Sequence, residues 1–111
     1  MKLPNAERTV VDIVKLRDYC LNPYHPRGRH KARVFTAALG LTMKDAELLR
    51  VALQNAALNS EAAPGEKDDY GQRYIIDFPM TGLGDRKAII RSLWIIVSEE
   101  NEPRLISCYV I

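Results

Sequence analysis

The fold is decided by one long apolar stretch, Lys87-Ala88-Ile89-Ile90-Arg91-Ser92-Leu93-Trp94-Ile95-Ile96-Val97-Ser98. Its β-branched and aliphatic residues favour a strand, and so apolar a run is typical of a strand at the centre of a sheet. Turn-forming residues flank it at Thr81–Asp85 and at Glu99–Pro103. Further strands are predicted beyond these turns, at Gln72–Phe78 and at Arg104–Ile111. Because the connections are short, the strands are expected to form an antiparallel meander.

The first half of the chain has helical periodicity instead. A first helix is predicted from about Asp12 to Leu21, a second from about His30 to Leu39, and a third from Thr42 to about Asn59. Thr9–Val11 is β-branched and could add a short strand, whereas Ser60–Asp69 has the composition of a loop. The apolar residues expected on the buried sides of the helices are Ile13, Leu16, Cys20, Ala32, Phe35, Leu39, Ala46, Leu49, Leu53 and Ala56.

Helices followed by strands predict an α+β fold, with about three N-terminal helices packed on one face of an antiparallel sheet of three to four strands. The 111 residues fit one domain, with a helical half over residues 9–59 and a β-meander over residues 70–111. A net charge of +2 is too small to demand a nucleic-acid partner. No signal peptide and no membrane-spanning run is recognised, so a reducing cytoplasm is expected. Cys20 and Cys108 lack a metal or redox spacing and are expected in the core.

The segment Pro23–Arg33 is the part of the chain that points to chemistry. It holds both histidines, His25 and His30, together with four of the sixteen lysines and arginines, and it contains no acidic residue. Imidazole and guanidinium groups at a helix start are suited to holding a phosphate or another anion. Either histidine could instead cap the helix or lie on its surface, and the arginines could form a solvated helix face.

Alternation along the strands predicts which side chains the sheet exposes. Placing the purely aliphatic faces against the helices leaves Ser92, Trp94, Ser107 and Tyr109 together on the open face. Hydroxyls beside aromatic rings suit a nucleobase and its backbone, although such pairs also stabilise a sheet without binding anything. Arg91 interrupts the aliphatic side of its strand. It either reaches solvent near a sheet edge or points into a cleft to hold an anion.

These residues fit one metal-free chemistry. The sequence has no HExxH, no Cys/His quartet, no P-loop and no GxGxxG loop, so neither a metal ion nor another cofactor is predicted. Cleavage of RNA needs only a proton donor, a proton acceptor and positive charge near the phosphate, because the 2′-hydroxyl is the nucleophile. Histidines, basic residues and hydroxyls of the kinds found in Pro23–Arg33 and in the last two strands can supply these groups.

The chain also resembles a known family. The run Lys15–Phe35 followed by Leu39-Gly40-Leu41 fits a pattern that reads roughly KLxxYLLNPxHPxGxxKAxxFxxxLG, and Tyr70-Gly71, Trp94 and Pro103-Arg104-Leu105 match further along the chain. This pattern belongs to a bacterial family of uncharacterised domains, found free-standing and at the C-terminal tips of polymorphic toxins. The layout is similar to the barnase/EndoU/colicin/RelE group of ribonucleases. The residues that carry the motif are His25, Pro26, Gly28, Lys31, Ala32 and Phe35.

The resemblance implies a metal-independent endoribonuclease toxin of a bacterial toxin–antitoxin pair. The expected partners are RNA and a small cognate antitoxin or immunity protein, with no membrane and no predicted oligomeric state. The motif does not require His30, which therefore ranks below His25 and Lys31. Expected catalytic residues are His25, Lys31, Arg91 and Ser92, and expected substrate-binding residues are Arg27, Arg29, His30, Arg33, Trp94, Ser107 and Tyr109. The alternatives are a non-catalytic module that grips a protein partner through the sheet, and a binder of another anionic ligand such as a nucleotide.

Overall fold

The long apolar stretch forms a central strand of one antiparallel sheet. The structure is a computed structural model that describes residues 1–111. The sheet has the order β1-β2-β3-β4, so each strand pairs with the next along the chain and the predicted meander is confirmed. The strands are β1 (Ala63–Asp68), β2 (Gly71–Thr81), β3 (Lys87–Val97) and β4 (Arg104–Val110).

The helices precede the sheet, as predicted. A short α-helix, α1 (Ile13–Lys15), continues as a π-helical segment (Leu16–Cys20) and is followed by α2 (Arg29–Leu39) and α3 (Ala46–Asn59). Local sequence sets these bounds: the Asp12 carboxylate accepts a hydrogen bond from Val14 N at 2.9 Å, and a capping box closes ahead of α3. None of the helices combines the length and apolar character needed to cross a bilayer.

Two expectations about the chain before the meander are wrong. Ser60–Asp69, expected to be a loop, contains β1, whose residues are all exposed at the edge of the sheet. The sequence does not reveal this strand, because its proline, glycine and charged residues show no apolar alternation. The strand is held in place by its pairing with β2. Thr9–Val11 forms no strand of its own, and contributes only an isolated parallel bridge from Val10 to Arg104.

One face of the sheet packs against the helices and the other is open. The core is a single cluster that includes Trp94 and Phe35, both fully buried, and both cysteines. The predicted exposure of Ser92 and Trp94 is therefore wrong, since both are fully buried on the helix-covered face. The aliphatic side of β3, with Arg91 and Leu93, faces outward instead. The two sides of β3 are both apolar, so alternation alone could not choose between them.

Burial of the indole is possible because its polar group is satisfied inside the core. Trp94 Nε1 donates a hydrogen bond to Ser92 Oγ at 2.9 Å, and Ser92 Oγ donates in turn to Ile76 O at 2.8 Å. This relay lets the largest apolar side chain of β3 face the helices without an unpaired N–H.

A bulge then alters the pairing of β4. The register shifts between Leu93 and Trp94, so Trp94 lies opposite Leu105 while Leu93 lies opposite Ser107 and Arg91 lies opposite Tyr109. Ser107 and Tyr109 thus lie on the same side of the sheet as Arg91, apart from Ser92 and Trp94. The Ser107 hydroxyl is nevertheless buried, so its predicted exposure is wrong.

We predict that Ser92→Ala lowers the free energy of unfolding by about 1–3 kcal/mol, because the buried indole N–H would lose its acceptor. Urea unfolding followed by circular dichroism measures the change. Ser60→Ala, which removes a hydroxyl without a hydrogen-bond partner, is the control and should change stability by less than about 0.5 kcal/mol. Equal effects of the two substitutions would contradict the role given to the relay.

Candidate functional site

The loop that leads into α2 is organised by its own side chains. Asn22 Oδ1 accepts a hydrogen bond from Tyr24 N at 2.9 Å, and His25 Nδ1 accepts from the backbone N–H groups of Arg27 at 3.0 Å and Gly28 at 3.1 Å. Gly28 packs so closely on the π-helical segment that a Cβ atom there would lie 2.2 Å from Tyr19 O. The loop is therefore held against the segment that carries Tyr19.

These bonds fix what the imidazole of His25 can do. A nitrogen that accepts two hydrogen bonds carries no hydrogen, so the neutral ring has its hydrogen on Nε2. In this tautomer Nε2 donates, and it can become a proton acceptor only if Nδ1 releases the loop. The His25 side chain thus closes the loop ahead of α2 without capping the helix itself. Its Nε2–H group remains as a hydrogen-bond donor.

Four side chains from four parts of the chain form what we call the tyrosine–lysine array: Tyr19, His25, Lys31 and Tyr109. The rings of Tyr19 and His25 meet edge to face, with centroids 4.7 Å apart and planes at 70°. Lys31 Nζ lies 5.7 Å from the centroid of Tyr19 and 5.2 Å from that of Tyr109. Both distances are within the range of cation–π attraction, which holds the ammonium between the rings. The structure thereby brings both His25 and Lys31 against one tyrosine ring.

Tyr19 was not among the residues expected in the site. Its one signal in the sequence is that it occupies the tyrosine position of the family pattern. Its contacts with His25 and Lys31 arise only when the π-helical segment, the loop and α2 are assembled, so no local spacing predicts them.

Several basic residues around the array form no ion pair. Lys15 Nζ donates a hydrogen bond to Ile106 O at 2.8 Å, and its charge is unpaired. The expected substrate-binding residues of α2 and its loop are exposed, and none of them forms an ion pair: Arg27, Arg29, His30 and Arg33. An anion approaching the array would therefore meet lysine and arginine charges that are not engaged in ion pairs.

The charges of Lys31 and Lys15 also act on two buried thiols, those of Cys20 and Cys108. Cys20 and Cys108 are fully buried, as predicted. Hydrogen bonding with Cys108, aided by the charges of Lys31 and Lys15, lowers the pKa of Cys20 to about 7. The pKa of Cys108 is raised, first by its hydrogen bond with Cys20 and then by burial. The two lysine ammonium groups are thus close enough to favour a negative charge between the π-helical segment and β4.

The sequence left two placements open for Arg91, one reaching solvent and one in a cleft. The structure shows Arg91 in the one that reaches solvent. Its guanidinium donates to both carboxylate oxygens of Asp77, at 2.9 and 2.8 Å, across β2 and β3. That hydrogen bonding lowers the pKa of Asp77 and is the main cause that raises the pKa of Arg91, to which the Tyr109 hydroxyl adds. Arg91 therefore adjoins the array through Tyr109, but its charge is already neutralised.

The remaining expected residues divide between the core and the open face. Ser92 and Trp94 cannot reach a ligand, because both are fully buried and are occupied by the relay between them. Ser107 Oγ is also buried and has no hydrogen-bond partner. Neither of the two main cavities is lined by His25 or Lys31. No group of three or more His, Cys, Asp or Glu residues is placed to hold a metal ion.

The chain belongs to the family described as a domain of unknown function (DUF6883), whose model matches residues 2–111. Among solved structures it is similar to a contact-dependent growth inhibition toxin–immunity protein complex from Klebsiella pneumoniae 342. The TM-score is 0.71 at 16% sequence identity, covering 92% of this chain and 99% of the other. At that identity the similarity establishes a shared fold. No curated protein matches the chain.

We predict that Gly28→Ala destabilises the protein by about 1–3 kcal/mol, because its methyl group would overlap Tyr19 O and force the loop away from the π-helical segment. Gly65→Ala is a matched control, since a Cβ atom there meets nothing closer than 3.6 Å. Thermal unfolding of both variants measures the difference. A Gly28→Ala protein as stable as the control would show that the loop is not held against Tyr19.

Proposed function

We propose that the chain is a metal-independent endoribonuclease toxin of a bacterial toxin–antitoxin pair, acting on RNA in the cytoplasm. The observation that carries the proposal is the tyrosine–lysine array, in which an unpaired ammonium and an imidazole N–H donor share one tyrosine ring. Unpaired arginines at the start of α2 extend the same positive surface. An RNA phosphate is an anion for which this combination of donors is suited.

The chemistry follows from what RNA itself supplies. The 2′-hydroxyl gives its proton to solvent water and attacks the adjacent phosphorus, the bond to the 5′ oxygen breaks, and that oxygen takes a proton from solvent, which leaves a 2′,3′-cyclic phosphate and a 5′-hydroxyl. Negative charge grows on the phosphate oxygens in the transition state. In our proposal Lys31 and the Nε2–H group of His25 bind those oxygens. One well-placed donor of this kind contributes a rate factor of about 10²–10³.

The exposed basic residues of α2 and its loop have a different part in the proposal. Arg27, Arg29 and Arg33 are unpaired and solvent-exposed, so they contribute long-range attraction for the RNA backbone rather than contact with the reacting atoms. His30 lies on the same exposed side of the helix start. We assign it to the same role, below His25 and Lys31. Arg91 is assigned the task of positioning the Tyr109 hydroxyl.

A cognate partner belongs to the proposal as well. The protein of similar fold was solved as a toxin–immunity protein complex. By analogy we propose that a small antitoxin or immunity protein binds this chain and prevents it from cutting RNA. Growth arrest on expression of the chain alone, relieved by its partner, is the expected behaviour of such a pair.

A second candidate function is supported by the open face of the sheet. Ile75, Leu93 and Ile95 are half-buried there with no helix above them, and β1 leaves an exposed edge. A non-catalytic module would use these surfaces to grip a protein partner. Binding by such a module would be insensitive to Lys31→Ala and would be weakened by Leu93→Ala, a better probe than the buried Trp94.

We predict that Lys31→Ala slows RNA cleavage by about 10²–10³-fold, because the transition state loses its unpaired ammonium. The assay uses purified protein, total RNA and excess chelator, and it detects 2′,3′-cyclic phosphate ends. Lys44→Ala is the control, since Lys44 lies just ahead of α3, is exposed and forms no ion pair. Wild-type protein that leaves all RNA intact, with or without chelator, would contradict the proposed activity.

His25 allows its two roles to be separated. His25→Ala should lose both the loop cap and the Nε2–H donor, whereas His25→Asn keeps an acceptor for the backbone N–H groups of the loop and loses only the donor. We expect both variants to slow cleavage by at least about tenfold, with the stability loss confined to His25→Ala. Full activity of a folded His25→Asn protein would reduce His25 to a structural cap.

A further inference from the structure

The second strand is longer than the strand that covers its outer side. β1 pairs with β2 only as far as Ile75, which lies opposite Ala63, whereas β2 continues to Thr81. On its other side β2 pairs with β3 along its whole length. The C-terminal part of β2, Ile76–Thr81, therefore forms a sheet edge with no neighbouring strand, which we call the free edge.

The direction of the main-chain groups along the free edge follows from the turn between β2 and β3. Gly82 N donates a hydrogen bond to Arg86 O at 2.7 Å, toward β3. Successive residues of a strand point their N–H and C=O groups to opposite sides, so the even-numbered residues before Gly82 also point at β3. Asp77, Pro79 and Thr81 point outward instead, and all three are exposed. No backbone hydrogen bond from a turn, a loop or a chain terminus reaches them.

A cavity of about 450 Å³ lies between the free edge and α3. Its lining includes Phe78 and Met80, which are buried, and Leu48 and Val51 of α3, which are each 44% exposed. No charged side chain lines this groove. An uncharged, largely apolar lining does not suit a phosphate or a metal ion, whereas it suits the apolar side chains of a protein segment.

Unpaired main-chain groups beside an apolar groove fit a protein segment in extended conformation. The main chain of such a segment can pair with the outward N–H and C=O groups of the free edge, and these bonds supply affinity. Side chains that lie opposite each other on paired strands share a face of the sheet. The added side chains opposite Phe78 and Met80 therefore enter the groove. The segment accordingly needs uncharged, apolar side chains at every second position.

The free edge suits a foreign segment better than a second copy of this chain. Two copies paired about Pro79 would place the prolines opposite each other, and neither proline has an N–H for the other's C=O. The central pair would thus lose both of its hydrogen bonds. A segment without proline loses only one of them, because its own N–H can donate to Pro79 O. The occupant is therefore a segment of a different protein.

We propose that the free edge and its groove are a docking site for an extended segment of a partner protein, about five residues long, which adds a strand beside β2. The site differs from the open face of the sheet and from the edge exposed by β1. It is also separate from the tyrosine–lysine array, whose Tyr109 lies on β4, beyond β3. The proposal goes beyond the proposed function, because strand addition does not depend on RNA cleavage.

The free edge itself is tested by amide hydrogen exchange of the intact protein. The amides of Asp77 and Thr81 should exchange at least about tenfold faster than those of Phe78 and Met80, which point at β3. Sedimentation should show a monomer. Equal protection of the two sets of amides would overturn the proposal, as would a dimer in which all four are protected.

Docking is tested with the peptide acetyl-Lys-Thr-Val-Thr-Val-Thr-Lys-amide, whose two valines alternate as the groove requires. A matched peptide carries N-methyl groups on its three threonines and so lacks the N–H groups that would face β2. At saturation the first peptide should slow exchange of the Asp77 and Thr81 amides at least about tenfold. The N-methylated peptide should leave both amides unchanged.

Two pairs of variants locate the bound peptide. Thr81→Pro removes an outward N–H and should weaken binding at least about tenfold, whereas Thr81→Val keeps that N–H and should bind normally. Val51→Glu puts a charge into the groove and should weaken binding to a similar extent. Leu58→Glu is its control, at a similarly exposed position of α3 outside the groove. Circular dichroism checks that each variant is folded.

The outcomes separate this site from the proposed function. Absence of peptide binding would overturn the site, as would equal binding of the two peptides or binding that Thr81→Pro and Val51→Glu leave unchanged. Peptide docking at the free edge by a protein that cuts no RNA would support the site and contradict the proposed function. Cleavage of RNA by a protein that binds no peptide would do the reverse.

Discussion

The orientation of β3 is the constraint on which the other features depend. Trp94 faces the helices, and its N–H is satisfied within the core by Ser92 and, through it, by the carbonyl of Ile76. Once the indole is inside, alternation sends Arg91 and Leu93 outward, and the bulge opposite them brings Tyr109 to the same side. The burial of one face of β3 therefore sets two positions: that of the Tyr109 ring beside Lys31, and that of the aliphatic side chains on the open face.

The second organising contact is made by Tyr19. This residue lies on the π-helical segment, where a widened turn changes the direction of side chains relative to a regular helix. Its ring meets that of His25 edge to face, and it also approaches the ammonium of Lys31. Gly28 permits this arrangement, because any side chain at that position would separate the loop from Tyr19. The array is thus built from four segments: the π-helical segment, the loop before α2, the start of α2, and β4.

Local chemistry made some of this predictable from the sequence. The helix starts at Asp12 and Thr42 follow from caps that act within a few residues, and the meander follows from the turns around β3. The exposed edge strand β1 was missed, because it has no buried side to impose alternation. The open face was misassigned at Ser92 and Trp94, because β3 is apolar on both sides and only assembly with the helices chooses between them. The meeting of Tyr19 with Lys31 and Tyr109 is likewise a tertiary event that no spacing encodes.

The central claim is that the Nε2–H group of His25 and the ammonium of Lys31 face one phosphate. Nitrogen NMR of the imidazole, recorded with and without a 2′-deoxy dinucleotide that cannot be cleaved, tests it most directly. The account predicts a neutral ring with its hydrogen on Nε2, and a change in the Nε2 signal on binding that disappears in the Lys31→Ala variant. A ring with its hydrogen on Nδ1, or an Nε2 signal indifferent to the dinucleotide, would contradict the account.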